Sequence, residues 1–147
     1  MSVRRAVEAD LPRLIELMAQ LHPDEPAAED PSRVEHYARV LGRMTAQGQQ
    51  VLVAEDDGRI AGALVLAIVE NITRKGTPYA IIENVVVDEG ARGQRHGEAL
   101  VEQAVEEARR AGCYKVSLTS NKRRSSAHRF YERLGFVQTH EAFRIDL

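Results

Sequence analysis

The chain has 147 residues, 44% of them hydrophobic and 29% charged, with 20 Lys and Arg against 22 Asp and Glu for a net charge of −2. These values describe a globular domain large enough to bury a core, and the near-balanced charge excludes bulk attraction to nucleic acid or to a membrane surface. The single cysteine, Cys113, excludes an internal disulfide and a cysteine metal cage and fits a reducing compartment.

The opening MSVRRAVEAD lacks the apolar core of a signal peptide. No apolar run approaches membrane-spanning length, so the expected location is cytoplasmic. Ser2 to Val7 reads as a short first strand. Asp10 is placed to cap a helix with Pro12 in its first turn, and Leu11, Leu14, Ile15, Met18 and Leu21 recur at helical spacing. His22 to Asp30 is a loop with two prolines, four carboxylates and no Lys or Arg. Asp30-Pro31 signals the start of a second helix, with Val34, Tyr37, Ala38, Leu41 and Met44 as its apolar face and Gly48 closing it.

Gln50 to Ala54 then reads as a strand, Glu55 to Gly58 as a hairpin turn, and Ile60 to Val69 as its partner, with Gly62 marking a bulge. Asn71 to Pro78 is a polar loop leading to a strand over Tyr79 to Val87. A third helix runs from about Arg95 to Ala111 on Leu100, Val101, Ala104, Val105 and Ala108, with Gly112 as its C-cap. Lys115 to Thr119 is the next strand. Ser125 or Ser126 caps a last helix ending at Leu134-Gly135, and Phe136 to Leu147 supplies one or two closing strands. The order β-α-α-β-β-β-α-β-α-β predicts a mixed α/β sheet with helices on both faces. No repeat or linker interrupts it, so residues 1–147 are expected to form a single domain.

The chain is organised around Ile81 to Leu100, IIENVVVDEGARGQRHGEAL. Its apolar run, Ile81, Ile82, Val85, Val86 and Val87, predicts a strand covered on both sides. A short turn rich in Gly and Arg then feeds a helix. Such a turn presents free backbone N–H groups and a positive dipole end, a site for phosphate to which Arg92 and Arg95 add charge. It lacks the Gly-Lys-Ser/Thr of a nucleotide triphosphatase loop and does not fit GxGxxG. Taken alone, it is equally an ordinary strand-to-helix turn with surface arginines. It resembles the pyrophosphate loop of the GNAT acetyltransferase superfamily, Arg/Gln-x-x-Gly-x-Gly/Ala. Arg92 and Gly97 match the first and last positions, and Arg95 replaces the middle glycine. Further along, Asn121, Ala127, Phe130, Tyr131, Gly135 and Phe136 match the superfamily's Asn…Ala…Phe-Tyr…Gly-Phe pattern, and Val3 to Leu11 resembles its first strand and helix. The resemblance spans the chain in order. The stretch SNKRRSSAHRFYERLGF is most similar to small-molecule members, the aminoalkylphosphonate type among them.

The resemblance implies an N-acetyltransferase in which a small-molecule amine attacks the thioester of acetyl-CoA directly, without an acyl-enzyme. It implies that Arg92, Gly93, Gln94, Arg95, His96 and Gly97 hold the pyrophosphate. Val85, Val86 and Val87, splayed from the next strand, would bond pantetheine and polarise the thioester carbonyl. It places Asn121 near pantetheine and gives Tyr131 the role of general acid to the departing thiolate. Ala127 and Phe130 complete the cofactor-binding set. Lys122, Arg123 and Arg124 read either as a solvated basic run or as the group that holds the nucleotide 3′-phosphate, with Arg124 counted in the cofactor-binding set. Asn121 reads also as a turn residue. Glu83, a carboxylate inside IIENVVV, reads either as the general base for the substrate ammonium or as one half of an ion pair at the sheet edge. Its apolar flanks predict partial desolvation. His96 and His128 are expected to face solvent, and no metal is expected. The acidic loop from Asp24 to Asp30 predicts a cationic acceptor. Competing readings are a peptide or protein N-acetyltransferase and a non-catalytic acyl-CoA sensor. A homodimer is common in the resembling family.

Overall fold

Alternating apolar residues decide which faces of the strands are buried. The computed structural model describes residues 1–147. It has five strands, β1 (Ser2–Arg5), β2 (Gln49–Asp56), β3 (Arg59–Val69), β4 (Tyr79–Val87) and β5 (Val116–Leu118), side by side in that order. The first four pair antiparallel with their neighbours. At its start, β5 is tied to β4 by the Tyr114 N–H on Pro78 O at 3.1 Å and the Ala80 N–H on Lys115 O at 3.0 Å. Helices α1 (Leu11–Ala19), α2 (Val34–Ala46), a single turn α3 (Thr73–Gly76), α4 (His96–Arg110) and α5 (Ser125–Arg133) complete the order. The chain forms two compact units, Met1–Ser117 and Leu118–Leu147.

In the first unit the expected two-sided sheet is present. Val53 pairs with Ala63, and Ala63 with Val86. This face packs on Leu11, Leu14 and Leu17 of α1, with Tyr37 and Leu41 of α2 behind them. The alternate residues Leu52, Leu64, Leu66 and Ile82 are buried on the other face, where α4 packs across β2, β3 and β4. Leu100, Val101, Ala104 and Ala108 supply its buried stripe. Each fully buried aliphatic side chain contributes roughly 1.5–3 kcal/mol.

Two irregularities shape β3 and β4. Ala54 faces Gly62 while Glu55 faces Ile60, so Ala61 is an extra residue beside the expected bulge glycine. A Cβ on Gly62 would lie 2.8 Å from Val86 O and 3.2 Å from Leu100 Cδ1, so glycine lets β4 and α4 approach here. The second bulge was not legible in the sequence pattern: Val65 faces Glu83 and Ala63 faces Val86, so Leu64 stands opposite two residues, Asn84 and Val85. Asn84 takes φ 54°, a left-handed conformation that asparagine tolerates better than most residues.

Several expectations are corrected. Asp10 does not cap α1 with its side chain. A 3-10 turn over Glu8–Asp10 precedes the helix, and the Asp10 carboxylate instead accepts from the Val7 N–H at 2.8 Å and from the Arg4 guanidinium at 2.8 and 3.0 Å. Asp30 does cap, accepting from the Ser32 N–H at 3.0 Å, but it opens a 3-10 turn that leads into α2. The Asn71–Pro78 loop contains the turn α3, where Arg74 and Lys75 have φ of 55° and 61° and Arg74 sits 5.3 Å from the centre of the Tyr114 ring. Phe136 to Leu147 carries no strand, so the closing strands are absent. In the second unit, α5 presents Phe130 and Tyr131 edge to face at 5.1 Å, and Phe136 meets Tyr131 at 5.9 Å.

Candidate active site

The residues that the sequence singles out fall into two groups, each coherent in its own unit. The first runs along β4, its following turn and the start of α4. Asp88 ends β4 and is held from three sides. Gln20 Nε2 donates to its carboxylate at 2.8 Å, Arg13 pairs with it at 3.1 Å, and the Asp88 N–H donates to Ala61 O at 2.8 Å. The Gln20 hydrogen bond, with the Arg13 cation behind it, holds the Asp88 carboxyl below the usual carboxylate range. Gln20 also accepts from the Glu89 N–H at 3.2 Å. Arg13 and Gln20 thus anchor the turn from α1, and nothing in the sequence spacing pointed to them.

Past that anchor, Arg92, Gly93, Gln94 and Arg95 are exposed. Gly93 has φ 82° and Arg95 φ 65°, and Arg95 is the residue immediately before α4. The left-handed backbone at Arg95 accounts for the glycine that the GNAT pattern carries there, since an L side chain costs roughly 1–2 kcal/mol in that region. The Arg95 guanidinium turns onto Glu98, at 2.8 and 2.9 Å. What remains facing outward is the first turn of a 15-residue helix, whose leading N–H groups have no intrahelical acceptor. With Arg92 alongside, these residues suit a pyrophosphate.

His96 corrects the expectation of a solvent-facing ring. It is 2% exposed, the one buried polar residue of the molecule. Its Nδ1 lies 3.3 Å from Ala91 O and its Nε2 3.3 Å from Asp56 Oδ2, so its polar atoms are partnered inside the fold. The ring therefore cannot meet a phosphate directly. It joins the start of α4 to the β2–β3 hairpin, whose Asp56 also lies 3.7 Å from the N-terminal amine.

Glu83 is corrected in the opposite sense: it is exposed, not desolvated. The bulge at Asn84 interrupts the alternation that its apolar neighbours imply. Its register partner, Val65, belongs to the wall of a cavity of about 230 Å³ beneath α1 and α2. Leu14, Ile15, Met18, Leu41 and Met44 make that wall largely apolar, and His22, Glu29, Tyr37 and Asn84 are its polar members. No Lys or Arg lines it. The Tyr37 hydroxyl donates to Glu29 Oε2 at 2.7 Å. Of the four loop carboxylates, only Glu29 reaches this cavity. Asp30 is taken up by Ser32, and Asp24 and Glu25 are exposed in the turn.

The second group lies in the second unit. Asn121 Oδ1 accepts from the Arg123 N–H at 3.0 Å, and its backbone carbonyl accepts from the Arg124 N–H at 2.9 Å. Its amide oxygen thus builds the turn that leads into α5. His128 is half-buried, with Nε2 2.9 Å from Asn121 O, and does not simply face solvent. Arg124 is exposed, Ala127 and Phe130 half-buried. Burial pushes the Tyr131 phenol up, while the nearby Arg124 cation opposes the shift. Tyr131 therefore stays protonated through the neutral range, as a proton donor must.

A sheet of this order, a bulged fourth strand and a glycine-bearing turn at the head of α4 define an acetyltransferase scaffold. The Acetyltransferase (GNAT) family model matches residues 11–136, and the chain belongs to that family. It is 34% identical over 148 aligned positions to a glucosamine 6-phosphate N-acetyltransferase from Trypanosoma brucei brucei, covering 100% of this chain and 96% of the relative. It is 45% identical over 62 residues to an aminoalkylphosphonate N-acetyltransferase from Salmonella typhimurium, covering 42% of this chain and 40% of that one. A putative acetyltransferase from Agrobacterium tumefaciens superposes with a TM-score of 0.90 at 38% identity, over 100% of both chains. The protein is therefore an N-acetyltransferase acting on a small-molecule amine, in a family that uses acetyl-CoA. No helix is long and apolar enough to cross a membrane.

Proposed function

We propose that this enzyme acetylates a small primary amine with an apolar body, bound in the cavity beneath α1 and α2, by direct attack. The observation that carries the acceptor class is the cavity wall: apolar side chains around Glu29, Tyr37 and Asn84, with no fixed cation. An ammonium group is matched there by the Glu29 carboxylate, whereas a phosphate finds no guanidinium or ammonium partner. At about 230 Å³ the cavity favours a small molecule over a peptide chain. The family match crosses both units, which supports reading residues 1–147 as one catalytic domain.

When bound, acetyl-CoA supplies the activated acetyl group. Arg92 and the backbone N–H groups from Gly93 to Gly97 would hold its pyrophosphate, and Arg124 is a candidate basic group for the remaining phosphate. The bulge leaves one residue of β4 at Asn84 and Val85 unpaired with β3, and backbone groups there, with the Val86 and Val87 that follow, would orient the thioester. Asn121, Ala127 and Phe130 are the second unit's candidate contacts to the cofactor. Glu83, exposed on the α1/α2 face, takes the ammonium proton, directly or through water, and Tyr131 returns a proton to the leaving sulfur. No protein nucleophile is required. Cys113 stands outside these groups, and burial, reinforced by Glu70, pushes its thiol up and away from reactivity.

A second reading follows from the Trypanosoma relative: that the acceptor is an amino sugar phosphate. Turnover with 2-phenylethylamine, an alkyl diamine and glucosamine 6-phosphate separates the two. Preference for the arylalkylamine, reduced by Glu29→Gln, is expected. Preference for glucosamine 6-phosphate would replace the apolar acceptor while leaving acetyl transfer intact. No turnover of any amine by protein that binds acetyl-CoA would overturn the catalytic reading itself.

A further inference from the structure

The turn from Arg92 to Arg95 separates Ala91 from the first residue of α4, and all of it is exposed. Gly93 and Arg95 within it hold left-handed backbone. Exposed backbone of this kind gains little from packing, so its shape depends on what ties its ends. The near end is tied by the Ala91 N–H on Asp88 O at 2.9 Å. The far end is tied by the His96 ring. Nδ1 lies 3.3 Å from Ala91 O, which closes residues 91–96 into a loop, and Nε2 lies 3.3 Å from Asp56 Oδ2. Asp56, the last residue of β2, is itself set by the turn Asp57-Gly58, whose φ of 48° and 73° are the pair a two-residue hairpin favours. The Asp56 side chain is 41% exposed, so the ring is the buried half of the link.

We infer that His96 is a positioning residue for the cofactor: acting through Ala91 and Asp56, it fixes the turn that binds acetyl-CoA while its ring touches no ligand. The inference rests on the reading of Arg92–Gly97 as the pyrophosphate cradle. Both ring partners, a backbone carbonyl and a carboxylate, accept hydrogen bonds and donate none. Position 96 therefore asks for N–H donors on two sides of a side chain that is buried at the head of a helix. A neutral imidazole makes one of these bonds and the imidazolium makes both. Packing alone asks for no donors, and an aliphatic side chain would serve it. His96 is the one polar residue that the molecule buries, and burying a polar group is unfavourable unless its hydrogen bonds are made. The N–H groups of the turn must point together to meet a phosphate. Holding them there before the ligand arrives lowers the ordering cost of binding. Loss of the clamp should thus weaken cofactor binding and leave the chemistry at the thioester alone.

Acetyl-CoA titration and steady-state kinetics on wild type, His96→Leu, His96→Asn, His96→Gln and Asp56→Ala test this. His96→Leu keeps the bulk and removes both donors, and should raise Kd and KM for acetyl-CoA by about tenfold or more. Its kcat at saturating acetyl-CoA should stay within about twofold of wild type, the mark of lost binding rather than lost chemistry. His96→Asn keeps a donor near Nδ1 and His96→Gln one near Nε2, so each should fall between leucine and histidine. Asp56→Ala should also raise KM, and adding it to His96→Leu should change little more, because the pair acts as one unit. Wild-type KM in His96→Leu, a fall in kcat with KM unchanged, or fully additive effects of His96 and Asp56 would each overturn the inference. Wild-type binding that Gly97→Glu does not weaken would instead overturn the pyrophosphate reading beneath it. If His96→Leu does not fold, Asp56→Ala, on the exposed half of the link, and the two amide variants decide.

Discussion

In the proposed mechanism Tyr131 and Glu83 divide the proton work, and their surroundings differ accordingly. Tyr131 is packed between Phe130 and Phe136, and burial raises its phenol, so it remains an acid beyond the ordinary phenol value of ~10. Tyr131→Phe keeps the ring stack and removes the proton. Turnover should fall by ~10²-fold or more with acetyl-CoA affinity nearly unchanged, as single-turnover rates beside a binding isotherm would measure. Near-normal turnover would assign the acid role to water. Glu83 lies in water on the cavity side of the sheet. Glu83→Gln should slow acetylation most at low pH, where the amine arrives protonated, and the deficit should shrink as free amine becomes abundant. A pH–rate profile for both proteins reads this directly, and superimposable profiles would remove Glu83 from the mechanism. The interest of these two positions was legible in the sequence, Tyr131 through the family resemblance and Glu83 as a carboxylate inside an apolar run. The environment of Glu83 was not, because a single left-handed residue, Asn84, resets the alternation.

At the scale of elements, β4 and α4 form one device, with Gly62 as its fulcrum. Adding a Cβ there brings carbon to 2.8 Å from Val86 O, a backbone atom that cannot swing aside. Gly62→Ala should therefore destabilise the protein by about 1–3 kcal/mol and raise the KM for acetyl-CoA as β4 is pushed off its line. Thermal melts and acetyl-CoA kinetics would reveal both effects, and a variant of unchanged stability would contradict the close approach. The strands and helices around this device were readable from periodicity, since each needs only neighbours within a few residues. His96 was not. Its burial depends on Asp56, 40 positions away in sequence, and local pattern cannot see a hairpin folding over a helix start. The closing strands fail for a related reason: alternation marks Phe143, Ile145 and Leu147 as strand residues but does not say which edge receives them.

At the scale of the molecule, carboxylates that anchor the first unit set its acid limit. Asp10, bonded chiefly by Arg4, and Asp88, bonded chiefly by Gln20, both have carboxyls held below the usual range. Groups lowered in this way add stability that is fully present above the unfolded carboxylate value of ~3.9 and is lost as pH falls through the folded values. The melting temperature should thus hold from neutrality to about pH 5 and fall below about pH 4. Asp10→Asn should melt lower at pH 7 and lose less on acidification, a comparison that calorimetry at several pH values makes plainly. Parallel curves for the two proteins would mean that the Arg4–Asp10 pair does not contribute. The whole-chain architecture was the most legible level of all, because two separate loops, Arg92–Gly97 and Asn121–Phe136, carry the same family pattern in order.

The most direct test is calorimetric titration of acetyl-CoA into the wild-type protein and into Gly97→Glu. If the turn at the head of α4 cradles the pyrophosphate, the wild type binds with one site per chain. Its melting temperature then rises with ligand concentration. Gly97→Glu, folded but carrying an anion against the phosphates, should show neither heat nor shift. Equal binding by the two proteins, or no binding by a folded wild type at millimolar acetyl-CoA, would contradict the account.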